Sequence, residues 1–331
     1  MHHLSYLQAV VIGLIQGITE LFPVSSLGHN VLIPALLGKS WLKYMNVGAP
    51  ESPYLAIIVG LHVATAIGIT VYFWRDWVRI IGGFFTSFRP LLKGDDMTDN
   101  QKLAWMIIVA TIPVGITGVL FEHTFRVFFG VPTRAAIFLV VNGVILFLGE
   151  KFRPRRSREA DAELLLHEKE PALAAAGRPA GAHASGQRAL RQKEMAEAVA
   201  ADHRLASETF PQALIIGSAQ VLALLAGISR DGVTIVTGMF RGLPRVDAAR
   251  FAFLLATPVI FAAGVLKIGD LFGPLGNGLR PQVLVASVVA GVAAYLSVRF
   301  LMKYFLTRTL TPFAIYCLVF GAFSLVYLTV K

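Results

Sequence analysis

Residues 16–29 read QGITELFPVSSLGH, and they decide the fold because they set an acid, two serines and a histidine inside an otherwise apolar stretch. LSYLQAVVIGLI precedes them and NVLIPALLG follows. At the centre of a membrane span an ionisable group costs about 2.5–3.5 kcal/mol even on the lenient insertion scale, so it persists where function or a partner requires it. The pattern returns later in the chain. Adding 204 to Gly13, Gln16, Ser25, Gly28 and Gly38 gives Gly217, Gln220, Ser229, Gly232 and Gly242 without a gap, and the second copy, QVLALLAGISRDGVT, carries Arg230.

Composition fixes the class. Of the 331 residues 55% are hydrophobic and 15% charged, which describes an integral membrane protein. The net charge of +10 would suggest nucleic acid in a soluble chain; here the basic residues fall mostly between apolar segments, where they set topology, and no nucleic-acid partner is expected. The lone Cys317 lies in an apolar run, which leaves neither a disulfide framework nor a thiol metal site. The amino terminus lacks a basic leader and an A-x-A site, so it is kept as part of the mature chain.

Six stretches approach the ~20 residues that cross a bilayer: 53–74, 102–121, 133–150, 247–269, 281–302 and 311–330. Two others, 4–38 and 211–242, each hold two short apolar segments joined at the polar motif by helix breakers, Pro23 in the first and Gly227 with Gly232 in the second. This predicts re-entrant helical hairpins, whose non-helical tips require burial in protein or a watery cavity; the alternative is a kinked span at each place.

The expected fold is therefore an all-α polytopic membrane protein with six transmembrane helices and two re-entrant hairpins. A hairpin returns to the side it left, and three spans follow it in each half, so residues 1–150 and 211–331 form repeats of inverted topology. Their tips would meet near the midplane, bringing Glu20, Ser25, Ser26 and His29 toward Ser229, Arg230 and Thr234.

Arg75, Arg79, Arg89 and Lys93 in a 75–101 loop, the segment after Lys151, Arg241, Arg245, Lys303 and Arg308 mark one side; Lys39, Lys43, Arg126, Arg280 and Lys331 mark the other. The richer side is expected to be cytoplasmic. Residues 151–210 read as a cytoplasmic polar linker with some marginal helix, a solvated tether without chemistry, whose opening KFRPRRSR touches anionic head groups.

LIQGITELFPVSSLGH and AGISRDGVT resemble the two motifs of bacterial undecaprenyl-diphosphate phosphatases, the BacA/UppP family, and the likeness covers the chain outside the central linker. The first motif is met by Gln16, Glu20, Pro23, Val24, Ser25, Ser26, Gly28 and His29. The second keeps Gly227, Ser229, Arg230 and Thr234 but has Ala226 for the usual proline and Asp231 for the serine after the arginine. A carboxylate there would weaken anion binding or add a metal ligand. The resemblance implies an inner-membrane enzyme that removes the terminal phosphate of a polyprenyl diphosphate, recycles the lipid carrier of cell-wall synthesis and confers bacitracin resistance. Its active site would open toward the periplasm, and a homodimer is left open.

The chemistry of the residues agrees. Arg230 offers a permanent planar charge for bidentate grip on a diphosphate, and broken helices aim N-terminal amides at one point; alternatively, Arg230 pairs with Glu20 or Asp231 and holds the hairpins together. Gln16 and Glu20, four apart on one helix face, could hold a divalent cation such as Mg2+ or Ca2+ with diphosphate oxygens and water; alternatively, Gln16 satisfies backbone at the break. Ser26 is the candidate nucleophile and His29 its base, with Glu20-activated water as the other route. Ser25, Gly227, Ser229 and Thr234 are expected at the substrate phosphates or as helix caps. His62 reads as a satisfied core histidine, and Lys267 and Asp270 as interfacial helix ends. A transporter of a phosphorylated polyprenyl lipid is the rival class, since paired broken helices also build carriers; the Glu20, Ser26 and His29 cluster exceeds what anion binding needs. A weakly active paralogue that only binds lipid diphosphate is the third reading.

Overall fold

The structure, a computed structural model, describes residues 4–38, 41, 53–175, 183–273 and 278–330. Expectations resting on Lys39, Lys43, Lys331 and the Gly/Pro/Ala stretch at 176–182 lie outside the described residues, as do those on the side chains of Arg126, Lys267 and Asp270.

The described residues form helices and no strand: α1 (Tyr6–Thr19), α2 (Ser26–Leu37), α3 (Pro53–Tyr72), α4 (Trp74–Thr86), α5 (Phe88–Lys93), α6 (Asp99–Phe129), α7 (Pro132–Lys151), α8 (Arg155–Ala175), α9 (His183–Ala206), α10 (Phe210–Ser218), a 3-10 segment (Ala219–Leu224), α11 (Arg230–Phe240), α12 (Arg245–Phe272), α13 (Arg280–Thr307) and α14 (Thr311–Val330). Five of them, α6, α7, α12, α13 and α14, are long and apolar enough to cross a membrane, and α3 joins as a sixth when counted with the helices after it, from which it bends by 88°. The short apolar helices fall where the breaks were expected, at Tyr6–Thr19, Ser26–Leu37 and Phe210–Leu224.

Local sequence sets the helix starts. Ser5 and Gln8 form a capping box on α1, and Thr209 and Gln212 form one on α10. These pairs are again 204 apart. So are Gly38 and Gly242, both at positive φ, which end α2 and follow α11.

Small residues let the helices interlock. A Cβ on Gly13 or Gly17 of α1 would collide with the carbonyl oxygens of Ala286 and Ala290 on α13, and one on Gly217 of α10 would strike the Ala110 backbone on α6. Close backbone approach of this kind is what holds helices together where lipid competes for every apolar surface. α14 packs along α7, and α3 along α12 and α13, so the two halves of the chain are interleaved.

Two expectations are corrected. The 75–101 segment is no loop: α4 and α5 occupy most of it, because its apolar residues recur at helical spacing. Nor is the linker a free tether. Ser157 Oγ donates to the Leu243 carbonyl at 2.5 Å, Arg153 and Arg245 reach Asp161 at 2.7 and 3.0 Å, and Arg245 pairs with Glu150 at 2.6 Å. Asp202 of α9 receives Arg79 at 2.7 Å and Arg250 at 2.5 Å, with Asp76 completing the cluster. Arg153, expected among lipid head groups, is buried. Once acids of the linker and bases of the helical body share one desolvated layer, separating them would strand buried charge, and the linker ends dock.

Candidate active site

Each break is built by a serine cap. α1 stops at Thr19, and the chain turns through Glu20–Val24 to Ser25, which adopts φ 69°, a left-handed value that costs a non-glycine residue energy and clusters at functional sites. Ser25 Oγ accepts from Gly28 N, capping α2, and from Gly227 N of the other break, both at 3.2 Å. At the second break Ser229 Oγ caps α11 by accepting from Gly232 N at 3.1 Å. Gly227 sits at φ 114°, its α-carbon pressed against the α7 backbone so that a Cβ would lie 2.5 Å from the Ala135 oxygen. Asn142 of α7 pins the two breaks together: its Nδ2 donates to the Pro23 carbonyl at 3.0 Å and its Oδ1 accepts from Ser229 N at 2.9 Å.

Glu20 is the hub. Its Oε2 accepts from Gln16 Nε2 at 2.9 Å and from Ser26 Oγ at 2.5 Å, and its Oε1 accepts from Arg230 Nη2 at 2.9 Å. His62 Nε2 stands 3.8 Å from Oε2. Gln16 in turn accepts from Asn30 Nδ2 at 2.8 Å, which fixes its amide. On the far side Arg230 Nε lies 3.4 Å from Asp231 Oδ1, so the guanidinium bridges two carboxylates. Those contacts occupy only part of its five donors and leave others for a phosphate. Ser26 and Arg230 begin α2 and α11, so two helix N-termini with their positive dipole ends converge on the carboxylate.

The structure thus brings Gln16, Glu20, Ser26 and Arg230 into one cluster, with Ser25, Gly227 and Ser229 behind it as caps and contacts between the breaks. His29 is not at Ser26. Its Nδ1 contacts the Ser25 carbonyl at 2.8 Å, its Nε2 the Tyr316 hydroxyl at 2.7 Å, and its ring stacks with Tyr316 and Phe320 of α14. Both nitrogens are engaged, so neither is left for the Ser26 hydroxyl. Thr234 Oγ1 donates back to the Arg230 carbonyl at 2.7 Å and is buried, so it meets its own helix instead of the cluster. Asp231 is wholly buried behind Arg230, and its Oδ2 has no hydrogen-bond partner.

The Gln16 and Glu20 pair does not fit a divalent cation in this arrangement. Such ions take oxygen ligands, yet Gln16 presents its nitrogen to Glu20, and the Glu20 oxygens already face Ser26 and a guanidinium.

Two residues escape the sequence reading, Asn142, which joins the breaks, and Tyr316, which holds His29; a third, His62, reads from sequence as a core histidine but faces Glu20. The signal for Asn142 and His62 was there, since each is a polar group within an apolar span, the argument that singled out Glu20. His62 Nδ1 contacts the Ile58 carbonyl at 2.8 Å. That pairing looks like a satisfied core histidine from its own helix, and only the fold reveals Nε2 facing Glu20. Tyr316 sits in an aromatic-rich span with nothing to distinguish it.

The family model described as bacitracin resistance protein BacA matches residues 9–171 and 182–323. Among similar proteins, one named undecaprenyl-diphosphatase from Mycolicibacterium paratuberculosis is 53% identical over 329 residues, 99% of each chain. Undecaprenyl-diphosphatase 2 of Frankia alni is 52% identical over 97% of each chain, and undecaprenyl-diphosphatase 2 of Burkholderia orbicola 37% identical over 96% of this chain and 94% of its own. With the match running from α1 through α14 and enclosing both serine-capped breaks, the chain belongs to the BacA family.

Proposed function

We infer that this protein is an integral membrane phosphatase that hydrolyses undecaprenyl diphosphate to undecaprenyl phosphate and inorganic phosphate, recycling the lipid carrier for cell-wall synthesis and conferring bacitracin resistance. The observation that carries the reading is the Ser26–Glu20–Arg230 constellation, a hydroxyl and an anion clamp placed 2.5 and 2.9 Å from the two oxygens of one base, Glu20.

In this reading residues 1–150 and 211–331 are inverted repeats, each a re-entrant hairpin followed by three spans, and 151–210 is a cytoplasmic linker. The common offset of 204 between the capping boxes, the break serines and the terminal glycines supports the repeat. The basic bias sets the linker side in the cytoplasm, so the site opens on the outer side of the inner membrane.

Arg230 and the N-terminal amides of α2 and α11 hold the diphosphate. Ser26 Oγ attacks the terminal phosphorus as Glu20 Oε2 takes its proton. The Oγ–P bond forms, the bridging O–P bond breaks, and the electron pair leaves on the oxygen that becomes part of undecaprenyl phosphate. Water then attacks the phosphoserine, Glu20 accepts the water's proton, and Ser26 recovers one as inorganic phosphate departs. Between these steps His62 is the exit: with Nδ1–H donated to Ile58, its Nε2 lone pair faces the protonated carboxyl, and its side chain is 27% accessible against 7% for Glu20 and 13% for Arg230. His29 positions α2 against α14. A divalent cation belongs to this reading only as a partner of the diphosphate oxygens, since the Gln16 amide nitrogen faces Glu20.

The test is phosphate release from undecaprenyl diphosphate by purified protein in proteoliposomes, with lipid flux measured in parallel. Stoichiometric release supports the enzyme; flux without release would replace it by a carrier. For orientation, a cysteine at an exposed α9 position should resist a membrane-impermeant thiol reagent in intact cells, and one at Gly278 should react.

A further inference from the structure

α3 is 20 residues long, and at 1.5 Å per residue it covers about 30 Å, the thickness of a hydrocarbon core, by itself. With α3 taken as the whole crossing, the chain reaches the far surface at Phe73, and there it turns by 88°. A helix perpendicular to a span lies along the membrane surface. Trp74, Val78, Ile81, Phe85, Phe88 and Leu92 form one exposed stripe on α4 and α5, from 46% exposed at Phe88 to 88% at Leu92. Their spacing of four and three keeps them on one face.

The opposite face is committed to protein. Asp76, Ile80, Gly83 and Ser87 are buried there: Gly83 abuts the Asn100 backbone, Ser87 Oγ accepts from Trp105 Nε1 at 2.9 Å, and Asp76 joins Arg250. The stripe's direction is fixed by these contacts. Arg75, Arg89 and Lys93 project beside it, and the Arg75 guanidinium lies 5.3 Å from the Trp74 ring centroid, an aromatic and a cation paired as at a membrane interface.

We propose that α4 and α5 lie in the interface of the same bilayer that α3 crosses, with the stripe from Trp74 to Leu92 sunk among acyl chains and Arg75, Arg89 and Lys93 on anionic phospholipid head groups. The inference rests on α3 being a span and not on the catalytic assignment. Three sectors around one helix axis, protein, basic and apolar, match protein core, head groups and acyl chains; a soluble environment would leave the apolar sector in water, and a second crossing would drag the basic sector into hydrocarbon.

Single cysteines at Val78, Phe85 and Leu92, in a Cys317→Ala background that retains phosphate release, are spin-labelled in the full-length protein in nanodiscs of phosphatidylcholine with 30% phosphatidylglycerol, roughly the anionic share of an acidic leaflet. Collision with oxygen against a water-soluble nickel reagent reads depth. The three labels should sit at one shallow depth within the lipid. Depth graded along the helix, about 21 Å over the 14 residues from 78 to 92, would make the segment a span; full access to nickel would place it in water; shielding from both reagents with spin–spin broadening would assign the stripe to a second copy. Each overturns the proposal. In pure phosphatidylcholine the labels should move toward water, and the combined Arg75→Gln, Arg89→Gln and Lys93→Gln variant should lose that lipid dependence. An unchanged lipid response in the variant would overturn the head-group contact.

Discussion

Ser26 and Arg230 are 204 residues apart, each is the first residue of the helix after a serine cap, and both reach Glu20, one on each carboxylate oxygen. The same structural position in the two halves thus delivers a hydroxyl from one and a guanidinium from the other. The two breaks share a serine-capped plan and contribute different groups to Glu20.

From that division the first expectation follows. Ser26→Ala should abolish turnover while lipid diphosphate still binds through Arg230, because the hydroxyl is needed only in the transition state. Glu20→Gln should lower kcat by about 10²–10⁴, the usual worth of a general base. Rapid quenching of the wild-type reaction with labelled substrate should trap phosphoserine at residue 26. Substantial release by Ser26→Ala without a trapped intermediate would move the attack to water.

Arg230→Lys should cost about 10²-fold or more in kcat/KM although charge is kept, since an ammonium cannot contact Glu20 and a diphosphate in one plane. Steady-state kinetics on the purified variant decide it; near-wild-type turnover would leave Arg230 as a strut between Glu20 and Asp231.

The two histidines should separate. His62→Ala should lower kcat with little change in KM, and added imidazole should restore part of the rate through the partly open side of Glu20. Tyr316→Phe removes a hydrogen bond to His29 and should lower thermal stability, by about 1 kcal/mol, with at most a few-fold change in rate. If Tyr316→Phe loses turnover as steeply as Glu20→Gln, His29 belongs to the proton path after all.

At the other end of the molecule, Asp202→Ala should be strongly destabilising. It leaves Arg250, and in part Arg79, buried beside one acid where there were two, and breaking a buried pair costs about 3–5 kcal/mol. Detergent-phase thermal unfolding should show the drop, and Arg250→Met combined with Asp202→Ala should recover part of it. Wild-type stability in Asp202→Ala would return α9 to the status of a tether.

Apolar length and helix breakers were enough to locate the long spans and the interruptions: α14 runs over the expected 311–330, and the two breaks contain the expected Pro23 and Gly227. The meeting of Glu20 with Arg230 also followed, because two polar interruptions in an apolar chain have few places to go other than each other. What sequence could not supply was direction around a helix axis. Ser26 and His29 share a helix and three residues of spacing, yet one turns to Glu20 and the other to Tyr316. The linker failed for a different reason. Composition reports mean polarity, and an alternation of acids and bases reads the same whether it is solvated or docked, since the partners Arg79, Asp76 and Arg250 are remote in sequence.

The glycine contacts of α1 and α10 have a consequence for how substrate and protein meet. A carrier works by rocking one half against the other, but here Gly13 and Gly17 key the first half's opening helix into α13, and Gly217 keys the second half's into α6. Any relative swing would have to unseat backbone from backbone at both seams together. In the proposed reaction these seams hold the two breaks in place, so the lipid's diphosphate is carried to Ser26 by bending of its own chain.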